Sequence, residues 1–274
     1  MADISLTEKY QVTIVKFGTR STIKSDVYLN FHIYKEADDA LDMDYFFWVI
    51  QNQNRTVVVD TGFSRRGGEV RDRTFLIEPA AAVAALGIDA KDAPQVVVTH
   101  AHYDHIGNLD LFPNSELIMA RAEQDFWFSD FAWRLQFKHS IEPQELSYLK
   151  EAADEKRITT FNDTYEVAPG IDVMRVGGHT PGQSIVVVET DEGQVVLASD
   201  AIHYYEEYER DLPFIFVNDL REMYEGFDTV RQLMQTTAKH LVTGHDPSTL
   251  ERFEPVVEGP LAGLAATIGR KEQR

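Results

Sequence analysis

Three histidines and a carboxylate fall within six residues of this chain, and no other segment constrains its fold so tightly. The run, HAHYDH at residues 100–105, directly follows the β-branched segment 95–99, which predicts a strand. A strand end followed by a tight turn can point all four polar side chains into one volume. Neutral imidazole and carboxylate are ligands that zinc and similar divalent ions prefer. The run therefore predicts a metal-binding turn.

The composition limits which atoms can bind a metal and which kinds of partner the protein can have. The 274 residues contain no cysteine, so metal ligands must be nitrogen and oxygen atoms. With 26 Lys and Arg against 45 Asp and Glu, the net charge of −19 disfavours nucleic acid and anionic membranes as partners. Residues 1–10 lack the basic start and apolar core of a signal peptide, and the apolar run 45–50 is too short to span a bilayer. We therefore expect a cytoplasmic protein.

The order of predicted elements favours mixed sheets with helices outside them, in a single domain over residues 1–274. Strands are predicted over residues 10–17, 45–50, 56–59, 95–99, 116–120, 171–176, 184–189, 194–198 and 240–243. Helices are predicted over 78–86, 121–138, 142–156 and 219–238, and a Gly- and Arg-rich loop over 63–74. No repeat or Pro/Ser-rich linker divides the chain.

Three further motifs complete a pattern that resembles a known family. Residues 177–182 (GGHTPG), 199–201 (SDA) and 243–246 (TGHD) each follow a predicted strand, in that order after HAHYDH. The set resembles the signature of the metallo-β-lactamase superfamily, across about residues 45–255. The resemblance implies an α+β fold, an αββα sandwich in which two mixed β-sheets are flanked by helices.

The resemblance also implies a set of ligands for two divalent ions. They are His100, His102 and His179 for one ion, Asp104, His105 and His245 for the second, and Asp200 bridging both. Asp60, in the triplet Asp-Thr-Gly, resembles the family's early aspartate, which orients a ligand imidazole from outside the coordination sphere. An aspartic protease would need a second such triplet, which the sequence lacks. Zinc is the expected metal, with iron, manganese or cobalt as alternatives.

The segment that follows Asp200 narrows the substrate. Two metal ions lower the pKa of a shared water from ~15.7 to about 7, which produces a hydroxide able to attack a carbonyl. Residues 200–214 and 244–246 are similar to the homoserine-lactone lactonases. We therefore expect a dinuclear metal-dependent hydrolase that opens an N-acyl-homoserine lactone, or a related carboxylated lactone, by attack of a metal-bridging hydroxide. A thioester hydrolase of the glyoxalase II type and a non-catalytic metal-binding module on the same fold are the alternatives.

The catalytic side chains are less clearly marked than the ligands. These lactonases usually carry a tyrosine three residues after the bridging aspartate, where this chain has His203 followed by Tyr204. One of these two is expected to support the carbonyl oxygen as it gains negative charge, a surface histidine being the alternative reading of His203. Asp104 is expected to pass a proton to the ring oxygen that leaves.

Two more segments bear on the substrate and on assembly. Four arginines lie between residues 63 and 74, and Arg65 and Arg66, together with Phe214, are expected to contact a substrate that carries a carboxylate. A solvated or salt-bridged loop is the structural alternative. The aromatic residues between Phe126 and Phe137 can wall an acyl pocket, pack in the core or form the contact of a homodimer, and the sequence leaves all three open.

Overall fold

Strands and helices run through residues 8–270, which are the residues described by the structure, a computed structural model. Residues 1–7 and 271–274 lie outside the described residues. The expectation that residues 1–10 hold no signal peptide therefore falls mostly on residues that are not described. The strands are β1 (Gln11–Ile23), β2 (Ala40–Gln51), β3 (Thr56–Val59), β4 (Thr74–Phe75), β5 (Gln95–Val97), β6 (Leu117–Ala120), β7 (Ile158–Phe161), β8 (Thr164–Ala168), β9 (Ile171–Arg175), β10 (Ser184–Thr190), β11 (Gly193–Leu197), β12 (Ala238–Val242), β13 (Glu254–Pro255) and β14 (Ala265–Ile268). The α-helices are α1 (Arg65–Glu69), α2 (Pro79–Ala85), α3 (Tyr103–Ile106), α4 (Arg121–Trp127), α5 (Leu135–Lys138), α6 (Pro143–Asp154), α7 (Tyr205–Arg210) and α8 (Leu220–Thr236). Short 3-10 helices cover Lys24–Asp26, Phe31–Ile33, Ala90–Asp92, Leu109–Leu111, Asp130–Trp133, Ser199–Ala201 and Leu250–Arg252.

The strands form two mixed sheets, as the resemblance implies. The first has the order β13-β14-β1-β2-β3-β5-β6-β7, with β4 paired to β1, and the second has the order β12-β11-β10-β9-β8. In the first sheet β3, β5, β6 and β7 run parallel to one another, and in the second β11 runs parallel to β12. The other pairings are antiparallel.

Alternation of side chains along the strands gives each sheet two buried faces. Trp48 and Ile50 of β2 pack in the cluster between the sheets, together with Val188 of β10. Phe47, which points to the opposite face of β2, belongs to the outer cluster, and Phe227 of α8 belongs to the same cluster on the side of the second sheet. This arrangement explains why β2 is apolar at successive positions, since both of its faces are covered.

Two predicted segments differ from the observed ones for identifiable reasons. The predicted helix over 121–138 is broken into α4, a 3-10 turn and α5. Ser129 caps the turn by accepting a hydrogen bond from the Phe131 N–H (3.2 Å), and Arg134 is extended, with φ −68° and ψ 141°. The rings of Phe126 and Phe137, 4.9 Å apart, hold the segment folded back on itself. The predicted loop 63–74 contains α1, which Ser64 caps by accepting from the Gly67 N–H.

The topology brings several loops to one edge of the sandwich. Parallel strands β3 and β5 end together, so the turn at Asp60 lies beside residues 100–105. In the second sheet β11 and β12 end together, which places Asp200 beside His245. The β9–β10 hairpin adds the loop that carries His179. Within residues 8–270, no helix is long and apolar enough to cross a membrane.

Candidate metal centre

Seven side chains from four separate stretches converge at this edge. They form two groups, in each of which the ligand atoms lie within 4.8 Å of one another: His100, His102, His179 and Asp200 in one, and Asp104, His105 and His245 in the other. Asp200 stands between them, since its Oδ1 lies 3.2 Å from Nε2 of His105 and its Oδ2 lies 3.4 Å from Nε2 of His179. The structure thus brings together every residue that the resemblance marks as a ligand. We call these seven residues the metal floor.

The outer nitrogen of three floor imidazoles is held by an oxygen. The Nδ1 atom lies 2.7 Å from Oδ2 of Asp60 in His105, 2.7 Å from the carbonyl oxygen of Phe216 in His179, and 2.8 Å from the carbonyl oxygen of Asp44 in His245. Because these oxygens only accept hydrogen bonds, each Nδ1 carries the proton and each Nε2 faces the other residues of the floor. Three rings are therefore set in the tautomer that binds a metal through Nε2.

The chemistry of the floor fits bound metal cations. Nε2 of His100, Nε2 of His105 and Oδ1 of Asp200 are buried and have no hydrogen-bond partner among the described residues. Such atoms are costly to bury, and a bound cation would satisfy them. Burial, reinforced by His105, lowers the pKa of His100 well below its usual value, and burial with His102 does the same for His179. Neutral imidazole is the metal-binding form, so the floor is a His/Asp metal-binding cluster.

Asp60 lies where the resemblance places it, against a ligand imidazole. Besides facing His105, its carboxylate accepts hydrogen bonds from the Thr99 N–H (2.9 Å) and from the Thr99 hydroxyl (2.7 Å). The Thr99 hydroxyl also lies 2.8 Å from that of Ser199, next to Asp200 in the chain. The backbone of Asp60 takes a φ of 59°, which turns the chain sharply after β3. This network joins the ligand loops of the two sheets.

Glu123 is a supporting residue that no motif marks. Its fully buried carboxylate accepts from the Ala101 N–H (2.8 Å), the Gly182 N–H (2.8 Å), the Thr180 hydroxyl (2.7 Å) and the Trp127 indole N–H (2.6 Å). Ala101 lies between two ligands, and Thr180 follows His179, so one carboxylate ties two ligand loops together. The only signal for it in the sequence is an acid in the first turn of a helix that follows a strand.

The two residues expected at the oxyanion differ in their placement. His203 is fully buried, with Nε2 3.2 Å from Oδ2 of Asp200 and Nδ1 3.2 Å from Oε2 of Glu207, and its ring stacks on Phe214 at 3.8 Å. It therefore touches the metal floor. The Tyr204 hydroxyl instead donates to the carbonyl oxygen of Asp42 (3.2 Å), and Tyr204 is not among the residues that line the cleft above the floor. That bond holds the Tyr204 hydroxyl outside the cleft, where it is not placed to support the carbonyl oxygen of a substrate.

The cleft above the metal floor is lined by Arg20 and by two arginines of the 63–74 loop, Arg71 and Arg73, but not by Arg65 and Arg66, which were the expected substrate contacts. Arg65 pairs with Glu69 and Glu78, Arg66 lies 3.3 Å from Glu142, and both side chains are largely exposed and outside the cleft. Because α1 directs them outward, neither is placed to contact a substrate. Phe214 does line the cleft, as expected. The lining beyond the floor includes a group that we call the arginine rim: Arg20, Arg71, Arg73, Tyr45 and Tyr103.

Two face-to-face mixed sheets with a His/Asp cluster at one edge define a class of hydrolases built on the αββα sandwich. The sequence matches the Metallo-beta-lactamase superfamily over residues 44–245, and the chain belongs to that superfamily and is one of its hydrolases.

Named relatives and solved structures agree with this assignment. An N-acyl homoserine lactonase of a Bacillus species is 26% identical over 233 residues, covering 76% of this chain and 83% of the relative. A crystallised N-acyl homoserine lactone hydrolase, with N-hexanoyl-L-homoserine at its catalytic metal centre, has a TM-score of 0.73 at 18% identity, over 92% of this chain and 99% of the other. AidC, a dizinc quorum-quenching lactonase, has a TM-score of 0.70 at 19% identity, over 98% and 97% of the two chains. The two structures show the shared fold.

Proposed function

We propose that this protein is a metal-dependent lactonase, which adds water across the ester bond of a small-molecule lactone. The observation that carries the proposal is the convergence of seven His and Asp side chains on the floor of an open cleft. The lactonase relatives support the ester as the bond that is cleaved. Held by the floor, two divalent ions, for which we propose zinc, would activate water and polarise the carbonyl.

The protein's own groups supply proton transfer and orientation. Asp104 belongs to the floor and lines the cleft, so it is placed to take up the proton that the attacking water loses and to deliver it to the ring oxygen as the acyl C–O bond breaks. Water supplies the new C–O bond, and the product is an open-chain hydroxy acid. His203 acts as a positioning residue, because it contacts Asp200 on one side and Glu207 on the other.

Tyr45, rather than Tyr204, is the tyrosine that we assign to support the carbonyl oxygen of the substrate. It lines the cleft, and its ring centroid lies 5.1 Å from that of His245. Burial raises the pKa of Tyr45 to about 12, so its phenol stays protonated at neutral pH and can donate a hydrogen bond to a carbonyl oxygen that gains charge.

Purified protein on a panel of lactones and thioesters tests the proposal. We expect acid release from lactones in a pH-stat, about two equivalents of bound metal, loss of activity with a chelator, and recovery with zinc. Metal-dependent cleavage of thioesters, with no lactone cleaved, would favour the glyoxalase II type of enzyme instead. Bound metal without turnover of any ester would indicate a non-catalytic module.

A further inference from the structure

The arginine rim contains two guanidinium groups without a carboxylate partner. Among the described residues, no carboxylate oxygen lies within 4.0 Å of the Arg20 or Arg73 guanidinium nitrogens. Both side chains are partly buried, and Nε of Arg20 is buried with no hydrogen-bond partner within residues 8–270. A chain with 45 Asp and Glu has ample acid to neutralise them, so their isolation is a property of this cleft.

Arg71, the third arginine of the rim, has a structural role, because its guanidinium nitrogens already have partners within the protein. Its Nη1 lies 2.6 Å from Oε1 of Glu142, and its Nη2 donates to the carbonyl oxygens of His139 (2.9 Å) and Ile141 (3.2 Å). Its guanidinium stacks over the ring of Tyr103, 4.0 Å from the centroid. These contacts neutralise Arg71. Among the described residues, Arg20 and Arg73 are then the rim cations without a carboxylate partner, and Nη1 of Arg73 donates to the carbonyl oxygen of Arg71 (2.5 Å).

These two cations lie beside the reacting end of the cleft. Arg20 pairs with Met43 across β1 and β2, which puts its side chain on the face of the sheet that carries Tyr45. The Arg73 guanidinium carbon lies 5.8 Å from the Tyr45 ring centroid, and its Nε donates to the Tyr103 hydroxyl (3.0 Å). Tyr45 in turn packs against His245 of the metal floor. One small ligand can therefore reach both the floor and these guanidinium groups.

We propose that the substrate carries a carboxylate outside the ester that is cleaved, and that Arg20 and Arg73 bind this carboxylate at the rim. The inference rests on the proposed lactonase function and specifies its substrate class, an anionic lactone. A desolvated guanidinium without a counter-ion is costly, and a planar carboxylate is the partner whose geometry its N–H groups match. Charge-assisted hydrogen bonds of this kind discriminate strongly against a neutral isostere.

Three matched γ-butyrolactones test the inference on the metal-loaded enzyme: one with a ring carboxylate, its primary carboxamide and the unsubstituted ring. We expect kcat/KM for the carboxylate to exceed that for the carboxamide by roughly 10- to 100-fold, the range of one or two charged hydrogen bonds. Cleavage of the carboxamide as fast as, or faster than, the carboxylate overturns the inference and leaves the lactonase function standing. Failure to cleave any of the three under conditions of full metal loading counts against the lactonase function itself.

Variants locate the effect. Arg20→Gln and Arg73→Gln should each lower the carboxylate-to-carboxamide ratio of kcat/KM by roughly 10-fold, mainly through KM, and the corresponding Arg→Lys changes should give intermediate ratios. Arg65→Gln, in the same segment but outside the cleft, is the matched control and should leave the ratio unchanged. Because a ratio of two substrates is measured, a partial loss of folded protein cancels. An unchanged ratio in both Gln variants would contradict the assignment.

Discussion

The metal floor and the arginine rim enclose the same cleft but are built in different ways. Floor side chains are almost wholly buried, and three of their imidazoles are fixed from behind by oxygens of other segments. Rim arginines are only partly buried, and the guanidinium groups of Arg71 and Arg73 lie over aromatic rings. The contrast indicates that the floor is a buried frame held by many segments, whereas the rim, where we propose that the substrate carboxylate binds, consists of a few side chains whose replacement should leave that frame intact.

The largest effect should follow removal of a floor ligand. His245→Ala takes an imidazole from the second group and leaves Asp104 and His105 with too few partners to hold an ion. Since the metal is what lowers the pKa of water toward 7, we expect lactone turnover to fall at least ~1000-fold. Bound metal should also fall below two equivalents. His240→Ala, in strand β12 that precedes His245 but outside the cluster, should change neither quantity. Full metal content with full activity in His245→Ala would contradict the ligand assignment.

A smaller loss of metal binding should follow Glu123→Gln, which weakens the hydrogen bonds between two ligand loops without removing a ligand. The amide nitrogen must face either the Ala101 and Trp127 donors or the Thr180 and Gly182 donors, so hydrogen bonds are lost at one carboxylate position. We expect about 2 kcal/mol less stability to denaturant and a loss of metal affinity of roughly 10- to 100-fold. Glu151→Gln, on the exposed face of α6, is the control. Equal metal affinity in the two variants would contradict the supporting role that we give to Glu123.

The floor was predictable because its ligands lie in short local motifs: the turn 100–105 indicates a metal site by itself, and the resemblance to a known family supplies His179, Asp200 and His245. Each ligand lies in a short motif directly after a β-branched or apolar run, and β3 was predicted with its observed bounds, Thr56–Val59. A strand end of this kind specifies where a side chain points without knowledge of distant contacts.

The rim was only partly predictable. The Arg-rich loop that carries Arg71 and Arg73 suggested a carboxylate on the substrate, but distant pairings decide which arginines face the cleft. Arg20 joins Arg73 only through the register of β1 on β2 and the pairing of β4 with β1. Likewise, the segment 121–138 has helical residues throughout, and the break after α4 comes from the Ser129 cap and the packing of aromatic rings. Arg65 and Arg66 were expected at the substrate because α1, the helix that carries them, was predicted as a loop; both lie outside the cleft.

A modest, pH-dependent effect is expected from Glu145, which lies behind the rim. Burial raises the pKa of Glu145 to about 8, against 4.5 for a free side chain, while its Oε1 accepts a hydrogen bond from the Ser64 hydroxyl. Between these two pH values the folded protein holds a proton that the unfolded chain has lost, so this group's contribution to stability falls as pH rises.

Glu145→Gln removes that titration. We expect the variant to match the parent at pH 5 and to exceed it by about 1–3 kcal/mol at pH 9, where the parent must bury a charge. Denaturant unfolding at both pH values measures the difference. A difference that stays constant from pH 5 to pH 9 would show that the carboxyl is not protonated in the folded protein.

The smallest effect should come from Arg66, which shares Glu142 with Arg71. The Arg66 side chain is 78% exposed and the Arg71 side chain only 12%, although both contact the same carboxylate. Solvent screens the exposed pair, so Arg66→Gln should cost less than ~1 kcal/mol in unfolding free energy and leave lactone kinetics unchanged. Arg71→Gln leaves Glu142 with its exposed partner alone and frees the backbone carbonyls of Gly67, His139 and Ile141, so it should cost about 2–3 kcal/mol. An equal loss of unfolding free energy in the two variants would mean that burial does not distinguish Arg71 from Arg66. The distinction between the arginine rim and the outer surface would then fail for this pair.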